Sequence, residues 1–213
     1  MSNYIAVLDR EHLENKIFMT AFAKSVANLS THKGIIIHGD SEYTERLIQT
    51  GMMRKDARER AIKDLNRRLV GLLADQGVPT VGIHGYQKDL VVQKEASLHL
   101  DTNQLSNLPD VPCILISSLA SNNNGSSYVS IPAFASLFSE SLEDFKLVLF
   151  SANEKAEIFI SNNNSSLKWN ELDQDAKETS IPEEFREFQK PAILATATDF
   201  SNWPNLKNMT RLS

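Results

Sequence analysis

Two histidines stand in the same local setting, because Gly34-Ile-Ile-Ile-His38-Gly39 and Pro79-Thr-Val-Gly82-Ile-His84-Gly85 are apolar runs that each finish in His-Gly. An imidazole at a strand end can move a proton near neutral pH or hydrogen-bond the adjoining loop. The neighbouring glycine lets a ligand approach the backbone closely. Asp40 and Ser41 follow the first pair directly and bring a carboxylate and a hydroxyl to the same place. The strand-end residues His38, Gly39, Asp40, Ser41, Gly82, His84 and Gly85 are therefore the first candidates for binding a substrate.

Other chemistry finds less support. The five histidines, His12, His32, His38, His84 and His99, contain no pair at compact metal-ligand spacing, and Cys113 is the only cysteine. No metal site is expected. Ser117-Ser118 lacks the flanking glycines of a nucleophile turn, and Cys113 sits in the apolar run Val111 to Ile116, which would bury its thiol. Gly82-Ile-His-Gly85 is far from a dinucleotide-binding fingerprint.

The elements that must position these residues alternate between strand and helix. Tyr4 to Leu8 reads as a strand, and Leu13, Ile17, Ala21, Val26 and Leu29 recur near helical spacing behind Asp9, a good helix N-cap. After the first His-Gly strand come a helix to Thr50 and a second carrying Ala57, Ala61, Leu65, Leu69 and Leu72. Its opposite face, with Glu59–Lys63 and Asp64–Arg68 four apart, reads as a solvated charged surface. Two short strands around Leu90 to Gln93 and Ser97 to Leu100 precede a buried strand from Cys113 to Leu119. The run Ser121 to Ser127 reads as a turn, Tyr128 to Ile131 as a strand, and Pro132 as the first residue of a helix to Leu142. Lys146 to Phe150, Ala156 to Ile160 and Ala192 to Ala197 follow as strands; Trp169 to Gln189 is acidic and helical in pieces, and Trp203 to Ser213 is left unassigned.

This alternation predicts an α/β three-layer sandwich with a mainly parallel sheet. The reading is one domain over 1–213, with a first lobe of about 1–106 and a reduced second lobe of about 107–213. Open sheets of this kind bind ligands outside the carboxyl ends of their strands. With 22 basic against 27 acidic residues and a formal charge of −5, the chain has no global field for nucleic acid or an anionic membrane. A single cysteine and the absence of a long apolar run fit a cytoplasmic protein outside the membrane.

From Gly34 to about Val91 the spelling resembles the amino acid kinase family, its N-acetylglutamate kinases most closely. Ile37-His-Gly-Asp-Ser41 stands where the family has a strand followed by His-Gly-Gly-Gly. Leu65-Asn-Arg-Arg-Leu-Val-Gly-Leu-Leu73 is similar to its Val-Asn-Lys-Glu-Leu-Val helix, and Gly77 to Gly85 to its Gly-Gly-x-x-Val-Gly-Leu-x-Gly ending. More distantly, Tyr128 to Leu142 and Lys146 to Phe150 match later elements, so the likeness spans roughly residues 1 to 160.

The resemblance implies the carbamate kinase-like fold and transfer of the terminal phosphoryl group of ATP to a carboxylate. Such transfer needs cations and backbone N–H groups around the phosphoryl oxygens. Here Val7-Leu-Asp-Arg10 replaces the family's Lys-x-Gly-Gly, Gly39-Asp40-Ser41 replaces a glycine loop, and Ile131-Pro132-Ala133 replaces Asn-Ala-Asp. The chain is also short for the family, with Gly51-Met-Met-Arg54 in place of a longer covering segment.

Arg10 and Arg54 are the guanidinium groups that would replace the lost lysine, and Arg54 joins the candidate substrate-binding residues. The resemblance thus implies a non-catalytic relative that binds a small acylated amino acid and has a regulatory role linked to arginine-type metabolism. Its alternatives are an active kinase using Mg-ATP and a structural subunit, with a homodimer or pairing with a kinase homologue as the implied assembly.

Overall fold

The computed structural model describes residues 2–29, 31–95, 97–151, 153 and 166–213. Their strands, in chain order, are β1 (Asn3–Leu8), β2 (Gly34–His38), β3 (Thr80–His84), β4 (Val91–Lys94), β5 (Ser97–Leu100), β6 (Cys113–Ser117), β7 (Leu119–Asn122), β8 (Gly125–Tyr128), β9 (Phe145–Phe150), β10 (Ser166–Leu167), β11 (Ala192–Ala195) and β12 (Met209–Leu212). Among the described residues they form a large sheet in the order β10-β12-β11-β9-β1-β2-β6-β3 and a small one in the order β5-β4-β7-β8. Every pairing in the large sheet is parallel except that of β11 with β12.

The helices are α1 (Arg10–Glu14), α2 (Lys16–Ala27), α3 (Tyr43–Gln49), α4 (Arg54–Ala74), α5 (Thr102–Ser106), α6 (Ile131–Ser141) and α7 (Gln174–Ser180). The α2 and α4 side chains Phe18, Phe22, Leu65 and Leu69 pack with Tyr4, Ala6 and Leu8 on one face of the large sheet. Phe134 and Phe138 of α6 pack with Ile5, Val7, Ile35 and Ile37 on the other. Alternate residues of β1 thus serve opposite cores, and a strand covered on both faces needs the unbroken apolar run seen in the sequence. The molecule is an α/β structure with a mainly parallel sheet flanked by helices. No helix among the described residues is long and apolar enough to cross a membrane.

Several local expectations are corrected. The helix expected from Glu11 to Leu29 is two helices, because Asn15 ends α1 with its backbone N–H on His12 and starts α2 by accepting from the N–H groups of Ile17 and Phe18. That break resets the helical phase, so Phe18 and Phe22 turn inward while Ile17 is 84% exposed. The single strand expected from Cys113 to Leu119 breaks at Ser118, where the chain leaves the large sheet and enters the small one. The run Ser121 to Ser127 is mostly hairpin, with β7 and β8 pairing Asn122 to Gly125, and Ile131 rather than Pro132 is the first residue of α6. The unassigned tail supplies β12, and the strand expected at 156–160 lies outside the described residues.

Gly34 is the tightest point of this framework. It pairs with Tyr4, whose ring lies across it so closely that a Cβ at Gly34 would sit 2.1 Å from Tyr4 Cζ. Gly34→Ala should therefore cost about 1–3 kcal/mol of stability through overpacking, read as a lower midpoint in urea unfolding, with Gly71→Ala on the open face of α4 as the harmless comparison.

Candidate functional site

The carboxyl edge of the large sheet is organised around His38, which is fully buried at the end of β2. Its Nδ1–H donates to Gly39 O at 3.2 Å, and its Nε2 accepts from the Asn66 amide of α4 at 3.0 Å. The same amide donates to Ile83 O in β3 at 3.2 Å. Burial, only partly opposed by Gly39 O and reinforced by the positive form of His84, pushes the His38 pKa down to about 3. The ring is a neutral structural group with a fixed tautomer, so it joins helix to sheet and takes no part in proton transfer near pH 7.

β6 runs between the two His-Gly strands, with Ser117 level with His38 on one side and with His84 on the other. His84 Nδ1 lies 2.9 Å from Ser117 Oγ, and its ring stacks on Tyr86 at 5.6 Å. Burial and the cations Lys63 and Arg67 hold its pKa below the ordinary histidine value.

A second buried group closes the end of β1. Asp9 accepts from the His12 N–H, capping α1, and its other oxygen lies 2.5 Å from His12 Nδ1. His12 Nε2 is 3.1 Å from Ser151 O, beyond the end of β9. Both ring partners are acceptors, so the ring carries two protons and is a cation. Burial works against that charge, but Asp9 and Ser151 O outweigh it and raise the His12 pKa.

Next to this pair, the Asp40 carboxylate accepts from the Ser41 N–H at 2.8 Å, from the Thr44 hydroxyl, and from Arg58 Nε of α4 at 2.9 Å. The Arg58 guanidinium lies over the Tyr128 ring, 4.7 Å from its centroid. Glu184 accepts from the Arg10 N–H at 3.1 Å; burial lifts its pKa, and the charges of Asp9 and Asp40 lift it further. Burial, with Glu184 and Asp40 adding to it, pushes Tyr128 up to about 12. Three carboxylates therefore share the strand-end side of the site.

Cations collect on its other side. A groove of about 390 Å³ runs along the start of α4, lined by Arg54, Lys55, Arg58, Leu119, Ser126 and Tyr128, with Glu59 its one acidic side chain. Glu59 already accepts from Lys63 at 2.5 Å. Met53 caps α4 without a side-chain hydrogen bond, so the first N–H groups of this long helix add their positive potential.

Of the residues singled out from the sequence, His38, Gly39, Asp40, Ser41, His84 and Gly85 come to one edge. Gly39 packs there against Ile131, whose Cγ1 would lie 2.5 Å from an added Cβ. Gly82 sits inside β3 beneath Asn66 and Val70 rather than at the strand end. Arg54 lines the groove and pairs with Glu45 at 3.0 Å, while Arg10 contributes its backbone N–H to Glu184. Sequence reasoning found Asp9 as a helix N-cap but missed its pairing with the His12 ring, and it missed the roles of His12, Arg58, Asn66, Ser117, Tyr128 and Glu184. The Asp9-x-x-His12 spacing was a legible signal for the first pair, whereas Glu184 arrives from a segment 174 residues away from Arg10. Among the described residues no group of three or more His, Cys, Asp or Glu side chains could hold a metal ion.

No protein-family model matches the sequence, and neither does any curated protein. Solved structures do match in fold. Isopentenyl phosphate kinase superposes with a TM-score of 0.66 at 12% identity, covering 98% of this chain and 99% of its own. Aspartokinase III of E. coli, in complex with lysine and aspartate, gives 0.65 at 9% identity over 99% of this chain and 64% of its own. Aspartate kinase from Synechocystis gives 0.64 at 9% identity over 99% of this chain and 40% of its own. The chain has the amino acid kinase fold.

The raised His12 pKa fixes a pH dependence. Between the ordinary value of about 6.5 and the raised one, the folded chain holds a proton that the unfolded chain has lost. This stabilisation is complete below that window and is lost as pH rises through it. From pH 6 to pH 8 the His12 contribution should fall, by up to about 1.4 kcal/mol per pH unit across the window, while the lowered pKa values of His38 and His84 act the other way, because only the unfolded chain takes up their protons near pH 6. Asp9→Asn removes the partner that raises the His12 pKa and leaves His38 and His84 in place, so in urea unfolding the stability advantage of the native chain over Asp9→Asn should be larger at pH 6 than at pH 8.

Proposed function

We propose that this chain is a non-phosphorylating protein built on the amino acid kinase fold, and that it binds a small carboxylate ligand, an acylated amino acid, in the groove at the start of α4. Segregation of charge along the carboxyl edge carries this reading. Asp9, Asp40 and Glu184 occupy the strand-end side, while Arg54, Lys55, Arg58 and the open start of α4 face the groove. Like charges 4 Å apart repel by about 4 kcal/mol at the effective dielectric of a protein surface. A triphosphate laid on the strand ends would compete with the Asp40–Arg58 ion pair, meet Glu184, and find a buried Asp9–His12 pair in place of a glycine cradle. The residues present do not fit Mg-ATP, and no phosphoryl-transfer step follows from them.

An acylated amino acid suits the groove better. Its carboxylates have the chemistry for Arg54 and Lys55, and its amide for the hydroxyl of Ser126. Its acyl group would rest on Tyr128. Two further hydroxyls near the His-Gly-Asp-Ser loop, Ser41 Oγ and Ser118 Oγ, are buried with no hydrogen-bond partner, a condition that a polar ligand or an ordered water relieves. The choice of an acylated amino acid, and of a regulatory role beside arginine-type metabolism, rests on the resemblance to N-acetylglutamate kinases.

Calorimetric titration should give saturable heat with N-acetylglutamate or N-succinylglutamate and none with Mg-ATP, and no ADP should form when all are present. Arg54→Gln should weaken the acylglutamate heat by roughly tenfold, the loss of one charge-assisted contact. Heat from Mg-ATP together with substrate-dependent ADP would replace this reading with an active kinase using Arg10 or Arg54. Silence from every ligand would replace it with a structural subunit that pairs with itself or with a kinase homologue.

A further inference from the structure

The amino edge of the large sheet, opposite the candidate site, holds a cavity of about 420 Å³. Register places its walls. Ile193 of β11 is opposite Arg211 of β12 and beside Val148 of β9, so Ile193, Arg211 and Lys146, two residues before Val148, project from the same face. On that face lie Trp203 and Met209, with Ile193 packed against the same core. Trp203 is anchored by its indole N–H on Ser2 O at 2.8 Å and by an edge-on contact with Tyr4. Pro204 completes an apolar floor.

Two cations with no acidic lining mark this cavity, where the apolar one beside Leu90 has the single cation Lys88. Lys146 and Arg211 are exposed at its rim, neither pairs with an acidic side chain among the described residues, and no Asp or Glu lines it. The chain as a whole carries more acidic than basic residues. The cavity at Lys33 and Asp110 has its cation paired at 2.7 Å, and the groove along α4 between Asp56 and Arg67 balances its charges. Two free cations beside an aromatic and aliphatic floor select an anion whose body is apolar and flat enough to lie along Trp203.

We propose that this cavity is a second ligand site, for a small aromatic or apolar carboxylate. Its carboxylate sits between Lys146 and Arg211, and its hydrocarbon body covers Ile193, Trp203, Pro204 and Met209. The five residues from Lys146 to Phe150 separate it from the carboxyl edge by about 16 Å of strand. A ligand here therefore shares β9 and β11 with the candidate site without touching it.

1-Naphthoate is a suitable probe, with the neutral 1-naphthamide as its isostere and the two indole N–H signals in NMR spectra of the full chain as the readout. Naphthoate should move the Trp203 signal saturably, with a dissociation constant in roughly the millimolar range or below, and leave Trp169 in place. Naphthamide should bind about three- to twentyfold more weakly, as two exposed charge contacts imply. The double variant Lys146→Gln/Arg211→Gln should bring the acid down to the amide. Its folding is checked by unchanged indole signals without ligand, and if it does not fold, the acid-to-amide ratio on the native chain decides. Equal affinity for acid and amide, movement of both indoles alike, or no saturable shift up to about 10 mM would each overturn the site.

Discussion

The hydrogen bonds of His38 are the constraint on which the carboxyl edge depends. A fully buried imidazole can be tolerated only if both nitrogens are satisfied, and Gly39 O and the Asn66 amide satisfy them. Because Asn66 also donates to Ile83 O, one amide ties α4 to both β2 and β3 although these strands are not neighbours. The backbone continues the arrangement: Ser118 N–H donates to His38 O at 2.9 Å as the chain leaves the large sheet for the small one. The β7–β8 hairpin is thereby brought over the start of α4, and it supplies Ser126 and Tyr128 to the groove.

Electrostatics then divides the edge. Burial makes every charge there depend on its partner, so His12 is a cation because Asp9 and Ser151 O both demand a proton, and Asp40 is held by Arg58, Thr44 and its own turn. Burial, with Asp9 and Asp40 adding to it, raises the Glu184 pKa, and the Arg10 N–H and guanidinium only partly oppose them. The strand ends are consequently hostile to added negative charge, while the uncapped start of α4 welcomes it.

The two ends of the large sheet differ in how they treat charge. At the carboxyl edge, cations and carboxylates are mostly paired and partly buried, whereas at the amino edge Lys146 and Arg211 pair with no acidic side chain among the described residues and stand above apolar side chains. β9 and β11 run from one end to the other, so the sheet itself is the physical link between them.

Sequence alone determined the strand–helix alternation, the two apolar His-Gly strands and the amino acid kinase type of fold, because these follow from apolar periodicity and the local spelling of short segments. Tertiary structure alone decided that β6 separates His38 from His84, that Asn15 splits the first helix, and that Glu184, Arg58 and Tyr128 join Asp40. Strand order and the meeting of distant side chains depend on long-range packing, which leaves no local period in the chain. An imidazolium at His12 and a neutral imidazole at His38 are likewise written only in their surroundings, since the two residues are chemically identical until the fold chooses their partners.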